Sequence, residues 1–470
     1  MGRAKELTKN TLIITIGRVS TQFVSFLLLP LYTTLLSTSE YGTVDFIITL
    51  VNLLIPIVSI MTDQGAFRFL LNCEGDEDRT QTISSAFCIL LATGLITAVA
   101  GGLIGLLTNN HYVIWLILIL LATAFNNLFL QTARGLHHTT DYALGSFICS
   151  SVTITLNVVC IAGLKMGADG MLTASFVGNA ICCLFLYLKL GIGRYLSLKE
   201  ADKETVGDIL KYSAPLVPHQ LSLWVMNSSD RIIVTMFLGA AANGVLAITH
   251  KFPLIYMTFY NIFQLAWHET GAVHFFDEDR DEFFTDIVNR LLMLFSALCL
   301  GVIVVLPLIF DLLVKADFKA AYYNIPIYMA ASLCNVVVGL LGVVYVATKK
   351  TSEIAKTTMI AAAVNIIVNL ALIKHIGLYA ASLSTFAGFF ITMVYRVIDT
   401  RKYLTIRYDR KRIAVMLTAV LAGCAVYYMR SVPVSLITMP VFIAVAWICN
   451  RDTLRSGLEA LREKHEKKKG

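Results

Sequence analysis

The stretch TISSAFCILLATGLITAVAGGLIGLL, Thr82–Leu107, holds twenty-six residues without one Asp, Glu, Lys or Arg. About 20 helical residues cross the roughly 30 Å of hydrocarbon in a bilayer, so this segment reads as a transmembrane helix. Segments like it recur along the whole chain. The expected spans are 11–36, 43–67, 82–107, 112–133, 143–164, 171–191, 213–238, 244–268, 288–314, 322–347, 354–374, 377–395, 413–430 and 433–449. The 470 residues are 57% hydrophobic and only 15% charged, with a mean hydropathy of +0.72. A soluble chain would be nearer a quarter charged, so the bilayer must serve as solvent for this one. The expected class is an all-α integral membrane protein of about fourteen transmembrane helices. The first span follows Arg3, Lys5 and Lys9, is too long for a signal peptide and lacks a small-residue cleavage site, so it reads as a retained helix.

Lys and Arg set the orientation. One set of loops and the tail, including the run Arg396 to Arg412, carries roughly 29 of them and the alternate loops roughly 5. The expectation is a multi-pass protein of the bacterial cytoplasmic membrane with both termini cytoplasmic. None of the ten cysteines has metal or disulfide spacing, and most lie inside apolar segments as packing residues. The acidic run Asp277–Glu282 lacks calcium-loop spacing and reads as a solvated cytoplasmic loop. Walker, zincin and nucleophile-elbow motifs are absent from the sequence, so no metal, no cofactor and no enzymatic role is expected.

The chain also repeats itself. Lys9 and Gly42 recur as Lys211 and Gly244, Gly135–Ala143 matches Ala347–Ala355, and Gly170–Ser175 matches Gly377–Ser382. An even number of helices per repeat predicts two parallel six-helix lobes, related by an axis along the membrane normal, around a central cavity. The expected division is an N-terminal lobe at 1–200, a C-terminal lobe at 201–400, two extra helices at 401–450 and a basic cytoplasmic tail at 451–470.

Polar residues fall on helical faces inside the spans. Thr11, Thr15, Arg18, Gln22 and Ser25 line the first, and Asp45, Thr49, Asn52, Pro56, Ser59 and Asp63 line the second without a break. Gln220, Trp224, Asn227, Arg231 and Thr235 line the seventh, and Lys251, Thr258 and Asn261 the eighth. A mid-span Lys or Arg costs about 2.5–3.5 kcal/mol on insertion scales and is functional by default. Arg18, Gln22, Asn52, Trp224, Asn227, Arg231, Lys251 and Asn261 are therefore candidate substrate-binding residues, and Asp45, Asp63, Asp230 and Arg68 candidate gate or ion residues. The bland alternative is a set of internal ion pairs that only hold helices together. By helix rise, Arg18 lies about 10 Å from the cytoplasmic end, while Arg231 and Lys251 lie on the external side, with Asp45 near enough to pair with either.

Glu40-Tyr41-Gly42, Tyr212-Ser-Ala-Pro-Leu-Val-Pro218, Ser229-Asp230-Arg231, Phe237-Leu-Gly239, Asn243-Gly244 and Lys251-Phe252 together resemble the polysaccharide-exporter branch of the multidrug/oligosaccharidyl-lipid/polysaccharide (MOP) exporter superfamily, the Wzx-type flippases. The resemblance covers about residues 5–450. Val245-Leu246 departs from it, because the family often has Tyr after this glycine. The resemblance implies movement of an undecaprenyl-pyrophosphate-linked oligosaccharide repeat unit from the inner to the outer leaflet by alternating access, for surface polysaccharide. It implies the lipid-linked oligosaccharide and membrane lipid as partners, with a glycan polymerase or glycosyltransferases of the same pathway beside them and no nucleic acid. Arg forks and Lys point charges suit pyrophosphate oxygens. Other readings are a cation-coupled multidrug exporter of the same superfamily, disfavoured by the net cations, a membrane glycan polymerase or ligase, disfavoured by short external loops, and an assembly scaffold.

Overall fold

In a computed structural model, residues 26–197 and 200–466 are described, and every regular element among them is helical. A short α1, Leu29–Leu35, precedes α2, Thr38–Ser59, and α3, Thr62–Leu70. Then come α4 (Asp76–Thr108), α5 (His111–Gly135), α6 (Thr139–Val158), α7 (Gly167–Lys189) and the short α8 (Lys203–Ser213). The second part of the chain forms α9 (Leu216–Leu238), α10 (Ala240–Val273), α11 (Arg280–Leu313), α12 (Ala321–Ala347), α13 (Thr351–Ile376), α14 (Tyr379–Asp399), α15 (Arg410–Met429) and α16 (Val432–Glu466).

Eleven helices among the described residues are long and apolar enough to cross a membrane. They are α2, α4 to α7 and α11 to α16. Helices α9 and α10 stand where the seventh and eighth spans were expected and are long enough, but they are not among the eleven. Their Asp230, Arg231, His250 and Lys251 interrupt the apolar character that the others keep.

Helix ends follow local chemistry. Ser37 caps α2 by accepting from the Glu40 N–H at 3.2 Å, while the Glu40 carboxylate accepts from the Ser37 N–H at 2.9 Å. This reciprocal box satisfies two otherwise orphaned donors. Asn110 caps α5 by accepting from the Tyr112 N–H. Gly239, at φ +87°, makes the corner between α9 and α10, a conformation that a residue with a Cβ rarely adopts.

The second span is not the unbroken helix that its polar periodicity suggested. Ile60 (φ 48°) and Met61 (φ 54°) are both left-handed and divide α2 from α3. Two causes lie just upstream. Pro56 removes a backbone donor from the last turn of α2, and the Ser59 hydroxyl accepts from the Met61 N–H at 3.1 Å, offering the chain a turn in place of the helix. The acidic run also needs correction: from Arg280 onward it is helix, with Asp281 and Glu282 in the first turn of α11, where carboxylates favour the helix dipole.

By contact density the chain divides into two compact units at Gly244/Val245. In the first, Leu90, Ala124, Leu128, Cys182 and Leu186 form a core between α4, α5 and α7. In the second, α12 is enclosed along most of its length, with Tyr322, Met329, Leu340, Val343 and Tyr345 all buried.

Candidate functional site

In the first unit, the start of α2 meets the end of α9 and the first turn of α10. Arg231, on α9, donates through Nη1 to Asp45 Oδ1 at 2.9 Å, with the two side chains 23% and 17% exposed. The fully buried Asn243 donates through Nδ2 to Asp45 Oδ2 at 3.2 Å and to the Gly42 carbonyl at 2.9 Å. Both oxygens of one carboxylate are thus engaged, one by a cation and one by an amide that also grips backbone. Tyr41 lies buried beside the pair, close enough to feel both charges.

The backbones touch at this point. A Cβ on Gly42 would run into the carbonyl of Ala240, and a Cβ on Gly244 into the carbonyl of Thr38. The repeat offset of 202 relates Gly42 to Gly244 and Ala240 back to Thr38, so exchanging the two repeats turns the first contact into the second. Such reciprocity is what a local two-fold axis between like surfaces produces. The Asp45–Arg231–Asn243 cluster has no such copy, since position 247 is Ala. A symmetric backbone contact therefore carries an asymmetric polar lock.

Arg18 and Gln22 lie outside the described residues. Asn52, Asn227 and Asn261 are exposed, and Asn227 donates to the Leu223 carbonyl of its own helix at 2.7 Å. Trp224 and Lys251 are half-buried. Asp230 is buried, and its Oδ1 accepts from the Arg231 N–H at 2.9 Å. Asp63 does not continue the stripe of Asp45. It sits in the first turn of α3, where it accepts from Gln64 Nε2 at 2.7 Å and favours the helix dipole. Arg68 is exposed in the last turn of the same helix.

The second unit holds a cation that the sequence reading had assigned to a cytoplasmic loop. Arg396 is 4% exposed and donates to the Val338 carbonyl and to Thr357 Oγ1, both at 2.8 Å. Its guanidinium lies 5.6 Å over the Tyr345 ring, and the Tyr345 hydroxyl donates to Asp399 at 2.9 Å. It ties α12, α13 and α14 together. Gly342 gives it room, since a Cβ there would stand 3.0 Å from Nη1. The signal in the sequence was Thr392, Arg396 and Asp399 on one face of α14. Among the described residues no group of three or more His, Cys, Asp or Glu is placed to hold a metal.

Helices α2 and α9 and most of α10, which carry the polar candidates, lie within residues 7–267, which match the model of a polysaccharide biosynthesis protein family. The chain belongs to that family. A Haemophilus influenzae protein of the Lsg locus is 24% identical over 234 residues. That alignment takes in 48% of this chain and 56% of the relative, so the chain spans little more than half the length of the relative it matches. Among solved structures, the lipid II flippase MurJ in an inward closed conformation superposes with a TM-score of 0.69 at 15% identity, over 95% of this chain and 100% of that one. An inward-facing multidrug-resistance MATE transporter of the MOP superfamily gives 0.67 at 14% identity, over 83% and 97%. This polysaccharide biosynthesis family member thus has the fold shared by MATE and MurJ transporters.

Proposed function

We propose that the protein is a flippase that carries an undecaprenyl-pyrophosphate-linked oligosaccharide repeat unit from the inner to the outer leaflet of the cytoplasmic membrane. The observation that carries this reading is the family match over residues 7–267, which contains every membrane-embedded cation chosen from the sequence: Arg18, Arg231 and Lys251. A diphosphate cannot cross hydrocarbon without compensation, and fixed guanidinium and ammonium groups supply it. The family description supports a saccharide cargo, and the fold supports transport by alternating access. The surplus of Lys and Arg on one set of loops is what puts both termini in the cytoplasm in this reading, and polymerases or glycosyltransferases of the same pathway are its expected partners.

Within this reading, the Asp45–Arg231–Asn243 cluster is the lock of an external gate. Arg231 is held by Asp45 until the diphosphate, with more charge and more acceptors, competes for it. Release of Asp45 then frees α2 from the α9–α10 corner, and this couples head-group arrival to opening. Arg18 serves as the inner cation that first receives the head group, and Lys251 joins Arg231 on the external side.

The test is genetic and chemical. Cells lacking the protein should accumulate the lipid-linked repeat unit on the cytoplasmic leaflet, with surface polysaccharide lost and restored by the wild-type chain. Arg231→Ala should not restore it, and Arg231→Lys should restore it in part, because the planar fork is gone. Surface polysaccharide unchanged in the deletion, with no accumulation, would refute the reading.

A further inference from the structure

Arg396, 4% exposed, carries a charge that the described residues leave unbalanced. The three helices it ties hold two acids, Glu353 and Asp399, and both are engaged elsewhere. Asp399 stands 2.6 Å from the Lys402 ammonium and accepts from the Tyr345 hydroxyl at 2.9 Å. Glu353 accepts from the Tyr395 hydroxyl at 3.1 Å and lies 3.7 Å from Lys356. Glu269, the one acid of α10, is exposed. The groups that do meet the guanidinium are neutral: the Val338 carbonyl, the Thr357 hydroxyl and the Tyr345 ring. A charge held out of water without an opposite charge is strongly unfavourable, so buried charges are ordinarily paired.

One donor of the guanidinium also stays unused. Nη1 and Nη2 are taken by Val338 and Thr357, whereas the buried Nε–H meets no acceptor among the described residues. A second buried nitrogen in the same condition is Nε2 of His268, on α10. Both side chains reach one turn of α12. Nη1 of Arg396 bonds the Val338 carbonyl and would stand 3.0 Å from a Cβ on Gly342. The His268 ring lies against the Gly339 backbone, close enough to feel the Arg396 charge. Tyr260, Gln264 and His268 share one face of α10, and Gly339 lets that face approach. A Cβ there would run into the Tyr260 hydroxyl and stand 3.0 Å from Gln264 Nε2. Lys349, Lys350, Lys356, Arg401 and Lys402 are exposed around the turn from α12 to α13 and the end of α14, and cations so gathered raise the local concentration of anions.

We propose that Arg396 Nε and His268 Nε2 bind a small monovalent anion, chloride in the cell, as counter-ion to the buried guanidinium. The class of ion follows from what the guanidinium still offers. Phosphate and sulfate call for several donors, and burying a dianion costs about four times as much as a monoanion, because self-energy grows with the square of the charge. The bound ion joins α10 to the knot of α12, α13 and α14 that Arg396 already ties. This site lies apart from the Asp45–Arg231 cluster and does not depend on the flippase reading.

The test uses the purified full chain in nanodiscs, with sodium gluconate exchanged for sodium chloride at constant ionic strength. Chloride should raise the unfolding midpoint saturably, by about 2–4 °C. Bromide should replace it, and sulfate should not. His268→Ala should weaken chloride binding about tenfold, the effect of one lost charge-assisted hydrogen bond. Arg396→Met should unfold at the same temperature in either salt. Crystals grown in bromide should show anomalous density in contact with both nitrogens, a readout that stands even where Arg396→Met fails to fold. A wild-type midpoint indifferent to chloride, a response unchanged in either variant, or bromide density only elsewhere would overturn the proposal.

Discussion

Replacing Asp45 by Asn keeps the shape of the side chain and removes its charge. In the structure this carboxylate receives Arg231 Nη1 at 2.9 Å and Asn243 Nδ2 at 3.2 Å, with about four-fifths of both charged side chains out of solvent. Removing one partner of a fully buried pair costs about 3–5 kcal/mol, because the other charge is left behind. This pair keeps some access to solvent, so a loss of about 2–3 kcal/mol is the expectation. At 1.4 kcal/mol per decade, that shifts a two-state equilibrium away from the locked form by roughly 30- to 150-fold. The assay is a double-mutant cycle in nanodiscs, with thermal unfolding and the solvent accessibility of α2 as readouts. Asp45→Asn and Arg231→Gln should each destabilise the locked form, while the double variant should lose little more than either alone, a coupling of about 1.5–3 kcal/mol. Additive losses, with coupling below about 0.5 kcal/mol, would refute the idea that the two charges hold each other.

Further expectations follow from particular contacts. Gly42→Ala and Gly244→Ala each place a methyl group on a backbone carbonyl; each should cost about 1–3 kcal/mol or prevent the closed contact, read by thermal unfolding, and an unchanged midpoint would remove the contact from the account. Arg396→Met should lower stability by about 1–3 kcal/mol, more than Arg68→Ala, because the Val338 carbonyl and the Thr357 hydroxyl lose their shared buried donor and Arg68 is exposed. Asp63→Asn should cost only about 0.3–1 kcal/mol and leave polysaccharide export intact, since its place is a helix start; loss of export at normal protein level would return it to the gate.

The helical membrane fold was legible because apolar runs have nowhere else to go, and Thr82–Leu107 alone required it. The pairing of Gly42 with Gly244 was legible as a repeat, although their mutual contact was not. Periodicity shows that two positions are equivalent and is silent on whether they touch. The break at Ile60–Met61 was hidden because a 3.6-residue pattern continues through a left-handed turn whenever polar residues happen to keep the count. Asp63 was misplaced for that reason. Arg396 was grouped with cytoplasmic cations because hydropathy places a cation at a span end in water, whereas Gly342 and the Val338 carbonyl make it a buried site. Arg231 and Asp45 came together because Asp45 lies seven residues after the start of α2 and Arg231 seven before the end of α9, a depth that residue counting gives directly.

The most direct measurement is flipping itself. The purified chain, reconstituted into vesicles with a fluorescent polyprenyl-diphosphate-linked oligosaccharide on one leaflet, should speed the appearance of the saccharide to a lectin on the other side. Arg231→Ala at equal reconstitution should bring the rate back to that of protein-free vesicles. A wild-type rate no faster than protein-free vesicles, or an Arg231→Ala rate equal to wild type, would contradict the account.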